Sequence, residues 1–156
     1  MISLEIPGYG SLELEHLVLD YNGTLARDGV LLPGVAESLQ KLARELAVHV
    51  VTADTFGSVA QQLLGLDLQI EILRSGDHTA EKRALVERLG SSRCAAVGNG
   101  NNDRAMLSAA ALGIVVSGSE GCSIQTLGEA DLLCLSIDEA LGLLAHPKRL
   151  VATLRR

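Results

Sequence analysis

Short runs of branched and aliphatic residues recur along the chain, most closing in a polar cluster. Between them lie segments whose apolar residues return every three to four positions. Residues 2–6 and 12–15 alternate apolar and polar around the turn cluster Pro7-Gly8-Tyr9-Gly10 and predict an opening β-hairpin. Residues 16–19 read as a buried strand that ends at Asp20, and Gly23 permits the tight turn beyond it. Pro33 then opens a predicted helix with Val35, Leu39, Leu42 and Leu46 on one stripe and Glu37, Lys41 and Arg44 facing away. Residues 47–51 form the next strand, ending in Thr52-Ala53-Asp54; Ser58 is the expected cap of a short helix that runs to Leu64 and stops at Gly65.

The same rhythm continues. A strand over 68–73 precedes a charged helix from Thr79 to the stop at Gly90, and a short strand over 94–97 closes in Gly98-Asn99-Gly100-Asn101-Asn102-Asp103. Asp103 begins a helix that buries Met106 and Leu107, strands follow over 112–116 and 131–135, and a last helix spans 137–144 before Pro147. Alternating strands and helices with short connections predict an α/β fold, a Rossmann-like three-layer sandwich around a mainly parallel sheet. One domain over 1–156 is expected, with the hairpin in 1–15 and the core in 16–150. In such a sheet the carboxyl ends of the strands form the ligand crevice, so Asp20, Thr52 and the 99–103 loop share one rim.

Composition narrows the partners. The 47% apolar content is aliphatic, with no Trp and rings only at Tyr9, Tyr21 and Phe56, which leaves little to stack on bases. A net charge of −6 also argues against nucleic acid, and the basic end of Lys148, Arg149, Arg155 and Arg156 reads as a solvated tail. Three cysteines without a CxxC pair, Cys94, Cys122 and Cys134, look like small core residues in a reducing compartment. His49, inside a strand, reads as a satisfied core histidine rather than a ligand. No apolar run approaches the roughly 18 residues of a membrane helix and no leader pattern is visible, so a soluble cytoplasmic protein is expected, with no membrane partner.

The polar clusters carry the chemistry. Asp20-Tyr21-Asn22-Gly23-Thr24, Thr52-Ala53-Asp54, Lys82 and Gly98 to Asp103 resemble, in order, the four motifs of the haloacid dehalogenase superfamily. They are closer still to the phosphorylation domain of P-type ATPases, whose motifs read DKTGT, TGD, a Lys and GDGxND. The resemblance implies a HAD-like core in which Asp20 attacks phosphorus and becomes an aspartyl phosphate. It implies a phosphate cradle of Thr52, Ala53, Lys82 and the amides near Gly23 and Thr24, and a Mg²⁺ cofactor held by Asp20, the Asn22 carbonyl, Asn99 and Asp103. These are the groups that phosphoryl transfer needs: an in-line nucleophile and positive or hydrogen-bonding partners for the equatorial oxygens. Asp54 matches the last residue of TGD or serves as a helix cap ahead of Thr55, and Asp28, Asp77 and His78 read as loop residues.

Two departures replace a carboxylate by an amide. Asn22 stands where phosphatases of the superfamily carry the acid that protonates the leaving group and activates water, and an amide does neither. Asn99 falls on a metal-binding Asp, which predicts retained but weakened Mg²⁺ binding. The interval from Asp20 to Thr52 is too short for an inserted cap or a nucleotide-binding domain, and none separates Thr52 from Lys82. An open, capless site and no ion pumping are therefore expected; open sites of this kind act on large substrates or are shielded by a neighbouring subunit, which implies a homo-oligomer. The sequence reading is a Mg²⁺-dependent phosphohydrolase, slow because of Asn22. Its alternative is a non-catalytic or regulatory phosphate-binding module.

Overall fold

The computed structural model describes residues 1–54 and 57–156. Phe56, and a cap by Asp54 on a helix starting at Thr55, lie outside them. The opening hairpin pairs β1 (Ile2–Ile6) with β2 (Gly10–Leu14) antiparallel, Ile2 opposite Leu14. β3 (His16–Asp20) follows, and then a second small hairpin of β4 (Ala26–Arg27) and β5 (Val30–Leu31), where the sequence showed only a polar turn. After it come α1 (Val35–Leu42), β6 (Ala47–Thr52), α2 (Ser58–Gln62), β7 (Gln69–Ile72) and α3 (His78–Leu89). The remainder is β8 (Cys94–Gly98), α4 (Arg104–Ala109), β9 (Leu112–Val116), α5 (Ile124–Leu127), β10 (Leu132–Cys134), α6 (Ile137–Ala145) and α7 (Pro147–Leu154).

Six strands form one parallel sheet in the order β10-β9-β8-β3-β6-β7. Strand periodicity splits β3 between two cores: Leu17 and Leu19 join the apolar cluster with α1, α6 and the opening hairpin, while Val18 joins the one with Leu85, Val86, Met106 and Leu107 of α3 and α4. The three-layer α/β sandwich expected from the sequence is the observed architecture. No helix among the described residues is long and apolar enough to cross a membrane.

Three local expectations change. Helix α1 starts at Val35 rather than Pro33, because Gly34 takes φ 80°, a left-handed conformation that a helix cannot run through. Leu46 lies past its end, buried but not on its stripe. Ser58 does not cap α2: Gly57 precedes it, and the carboxylate of Asp54 accepts from the Ser58 hydroxyl and the Val59 amide, both at 2.8 Å. The basic C-terminus is not a solvated tail, since Pro147 opens α7, which packs on β1 and α6 with Leu150 fully buried. Leu150→Ala is expected to cost about 2–5 kcal/mol in urea unfolding, and no loss would return this segment to a solvated tail.

The fold sets the site through register. Asp20 lies opposite Val51 on β6, one residue before Thr52, while Leu19 lies opposite Val97 on β8, one residue before Gly98. The chain leaves β3 toward β6 and β7, then returns to the other side of β3 at β8, so the strand order reverses beside Asp20.

Candidate active site

Beyond β3 the backbone turns sharply at Gly23 (φ 78°), and Asp20, Asn22, Thr52, Ala53, Lys82 and Asn99 come to line one open hollow of about 260 Å³. That is smaller than the usual range for a small-molecule site, roughly 300–1,000 Å³. It has room for a group the size of phosphate.

Lys82 is 1% exposed and reaches from α3 to place its ammonium 2.6 Å from Asp20 Oδ1 and 2.6 Å from Asp103 Oδ1. Asp103 is wholly buried, and its Oδ2 accepts from the amides of Asn99 and Gly100 at 3.0 and 2.9 Å. Gly98 makes this possible: a Cβ there would stand 2.5 Å from the Asp103 carboxyl carbon. Burial, reinforced by the neighbouring Asp103 charge and opposed by Lys82, pushes the Asp20 carboxyl up to about 7. Burial works against the Lys82 charge, but the two carboxylates outweigh it and hold the ammonium above its ordinary value.

The other oxygen of Asp20 points to a second group. The Thr24 hydroxyl lies 3.3 Å from Asp20 Oδ2 and 3.3 Å from Asn99 Oδ1, while Asn99 Nδ2 donates to the Gly121 carbonyl at 3.1 Å. That bond orients the amide and leaves its oxygen to the Thr24 hydroxyl. A Cβ on Gly23 would meet the Asn99 amide, Nδ2 at 2.7 Å and Oδ1 at 2.9 Å, and Glu120 Oε2 at 2.9 Å, so the missing side chain opens a cradle edged by an amide and a carboxylate. Among the described residues no group of three or more His, Cys, Asp or Glu side chains is placed to hold a metal ion. A cation here would therefore have to draw on amide and carbonyl oxygens beside the carboxylates, the kind of donor that a hard ion such as Mg²⁺ takes.

The backbone amides that the resemblance implies for a phosphate have partners within their own turn. The Gly23 and Thr24 amides already donate to Ala26 O (2.9 Å) and Tyr21 O (3.3 Å), because the turn closes on itself. Thr52 Oγ1 accepts from the Asp54 amide at 3.1 Å, which orients the hydroxyl and leaves its proton to donate.

Two ionisable residues that line the hollow, His78 and Glu120, were missed in the sequence. His78 is the first residue of α3, one turn before Lys82 on the same face, and the four-residue spacing was the available signal. Glu120 follows β9, a fourth strand ending at this rim. Asp77 is not a plain loop residue, since its carboxylate accepts from the Ala80 amide at 3.0 Å and caps α3. His49 is buried as expected but only half satisfied: Nε2 lies 3.2 Å from His16 Nδ1, while Nδ1 has no hydrogen bond and stands 3.9 Å from Glu71 Oε1. Burial and the neighbouring His16 lower its affinity for a proton. Cys94 and Cys134 are buried and their thiols pushed up to about 11 by burial, which makes them inert packing residues.

Comparison with solved structures matches this architecture to the haloacid dehalogenase fold. The 3-deoxy-D-manno-octulosonate 8-phosphate phosphatase of Moraxella catarrhalis, solved with magnesium, phosphate and KDO, superposes with a TM-score of 0.70 at 20% identity, over 91% of this chain and 94% of that one. The catalytic domain of the CPx-ATPase CopB-B superposes with a TM-score of 0.60 at 22% identity, over 74% of this chain and 46% of that one. The chain is thus a HAD-like α/β protein without an inserted cap between β3 and β6. No protein-family profile matches the sequence. An uncharacterized protein of Methanocaldococcus jannaschii, MJ0073, is 35% identical over 92 residues, which cover 56% of this chain and 99% of that protein. The chain belongs to the same family as MJ0073.

Proposed function

We propose that this protein is a HAD-type phosphohydrolase in which Asp20 attacks the phosphorus of a phosphorylated substrate and carries the phosphoryl group until water removes it. The observation that supports this most is the buried Asp20–Lys82–Asp103 arrangement at the hollow. Such an arrangement is weak evidence for stability, because the desolvation penalty can exceed the Coulombic gain, so a chemical role explains it better. Asp20 presents the nucleophilic oxygen. Two of the three Lys82 N–H groups hold Asp20 and Asp103, and the third is left for an equatorial phosphoryl oxygen, as is the Thr52 hydroxyl proton. Asp103, with both oxygens engaged, positions Lys82 and the loop that carries Asn99. Mg²⁺ would be held by Asp20, the Asn22 carbonyl and Asn99, and when bound it neutralises phosphoryl charge and favours ionised Asp20. The structures of phosphatases at similar architecture, one of them with magnesium and phosphate, support the reading at the level of fold.

Asp20→Asn tests it with two readouts. Hydrolysis of p-nitrophenyl phosphate or acetyl phosphate should vanish, and so should any acid-stable label left on the protein. Unfolded Asp ionises near 3.9, whereas folded Asp20 does so at about 7. Between those values the folded state keeps a proton the unfolded state has lost, so Asp20 costs stability progressively as pH rises through that window. In EDTA the Asn variant should be more stable at pH 8 by on the order of 1 kcal/mol, or roughly 3 °C, with the gain shrinking toward pH 5. Wild-type protein with neither turnover nor trapped phosphate would make it a binding module, the reading that the two amides favour.

A further inference from the structure

The amide at Asn99 leaves the cation site short of charge. Asp20, Asp103 and Lys82 form one ion-paired cluster whose formal charges sum to a single negative charge. Ligand charge count is a main determinant of affinity for hard divalent cations. A second carboxylate stands on the same cradle. Glu120 Oε2 and Asn99 Oδ1 each lie 2.9 Å, and Asn99 Nδ2 2.7 Å, from the point where a Gly23 Cβ would sit, and Glu120 lines the hollow with Asp20 and Asn99. Its other oxygen is tethered, accepting from the Asp28 amide at the tip of the β4–β5 hairpin (3.3 Å). Asp28 holds φ 51°, a left-handed conformation in which its amide meets Glu120. None of the four motifs includes this residue; it reaches the site because the loop after β9 runs back over Gly23.

We propose that Glu120 is the second anionic donor of the divalent-cation site, supplying directly or through one bound water the charge that Asn99 lacks. This rests on the phosphohydrolase reading for the presence of the cation, and it changes what Asn99 means. The amide moves a ligand charge from the β8 loop to the β9 loop rather than abolishing the site. It also places one carboxylate between the cation and the small hairpin, so that cation binding steadies the Asp28–Gly29 turn.

Mn²⁺, read by electron paramagnetic resonance and by titration calorimetry on the whole chain, tests this without relying on turnover. Glu120→Gln keeps an oxygen for the Asp28 amide and removes only the charge. It should melt like wild type in EDTA and bind Mn²⁺ about tenfold or more weakly, the range for removing a supporting group from a metal site. Asn99→Asp should tighten Mn²⁺ binding, and in that background Glu120→Gln should cost less than it does alone. Equal Mn²⁺ affinity in wild type and Glu120→Gln, with binding lost in Asp20→Asn, overturns the Glu120 assignment and leaves the phosphohydrolase reading intact. Wild-type protein that binds no Mn²⁺ overturns the Glu120 assignment together with the metal-dependent mechanism.

Discussion

Lys82→Met should destabilise the protein by about 3–5 kcal/mol at pH 8, seen as a drop in melting temperature on the order of 10 °C. The side chain is almost wholly buried, and its ammonium is the single cation within hydrogen-bond distance of both Asp20 and Asp103 among the described residues. Methionine fills a similar volume, so the loss reports charge rather than a cavity. Two buried carboxylates would then share the space without a counter-ion, and such a pair relieves its repulsion by holding a proton. Asp20, already raised to about 7, should rise further, and the sign follows: the folded state of the variant gains protons relative to the unfolded state as pH falls. The destabilisation should therefore shrink toward pH 5. Circular-dichroism melts at the two pH values decide it, and a variant as stable as wild type at pH 8 would show that the carboxylates are neutralised by something other than Lys82. If the protein is the phosphohydrolase proposed above, phosphoryl transfer should fall with it, since the same ammonium holds the Asp20 carboxylate.

Asn22→Asp should raise steady-state hydrolysis by about 10²-fold or more, within the 10²–10⁴ range of general acid–base catalysis. Asn22 lines the hollow two residues beyond Asp20, and its amide neither donates a proton to a leaving alkoxide nor removes one from water. The deficit should fall unequally on the two half-reactions. Acetyl phosphate, with a leaving group that needs little protonation, should phosphorylate wild type readily, and the phosphoprotein should then decay slowly. In Asn22→Asp the decay should quicken, and alkyl phosphates should become substrates. A rapid-quench measurement of both steps separates these effects. Unchanged decay of the phosphoprotein would mean that another group lining the hollow, His78 or Glu120, already activates the water.

Much of this site is readable along the chain because strands end where apolar runs stop. Asp20, Thr52 and Asn99 each follow such a run, and parallel pairing with Asp20 opposite Val51 brings those ends to one level. Lys82 is different in kind. Nothing local distinguishes it from Lys41 or Arg83 on their helices; its burial follows from α3 lying against the face where Val18, Val51 and Val115 point. The partners of the Gly23 and Thr24 amides were hidden for a related reason, since a turn this tight satisfies its own donors only once it has closed. The C-terminal segment was misjudged because a short amphipathic stretch with four cations looks solvated until a hairpin offers Leu150 an apolar surface.

By itself the amino-acid order determined the alternation of strands and helices, the polar termini that carry chemistry, and the two amides that set this protein apart, because periodicity and side-chain type are properties of neighbours in the chain. The tertiary structure alone decided that Lys82 joins two buried acids, that Asp103 turns both oxygens inward, and that Glu120 stands over Gly23. Those contacts join residues tens of positions apart. Their energies depend on burial and distance, which exist only once the sheet has closed.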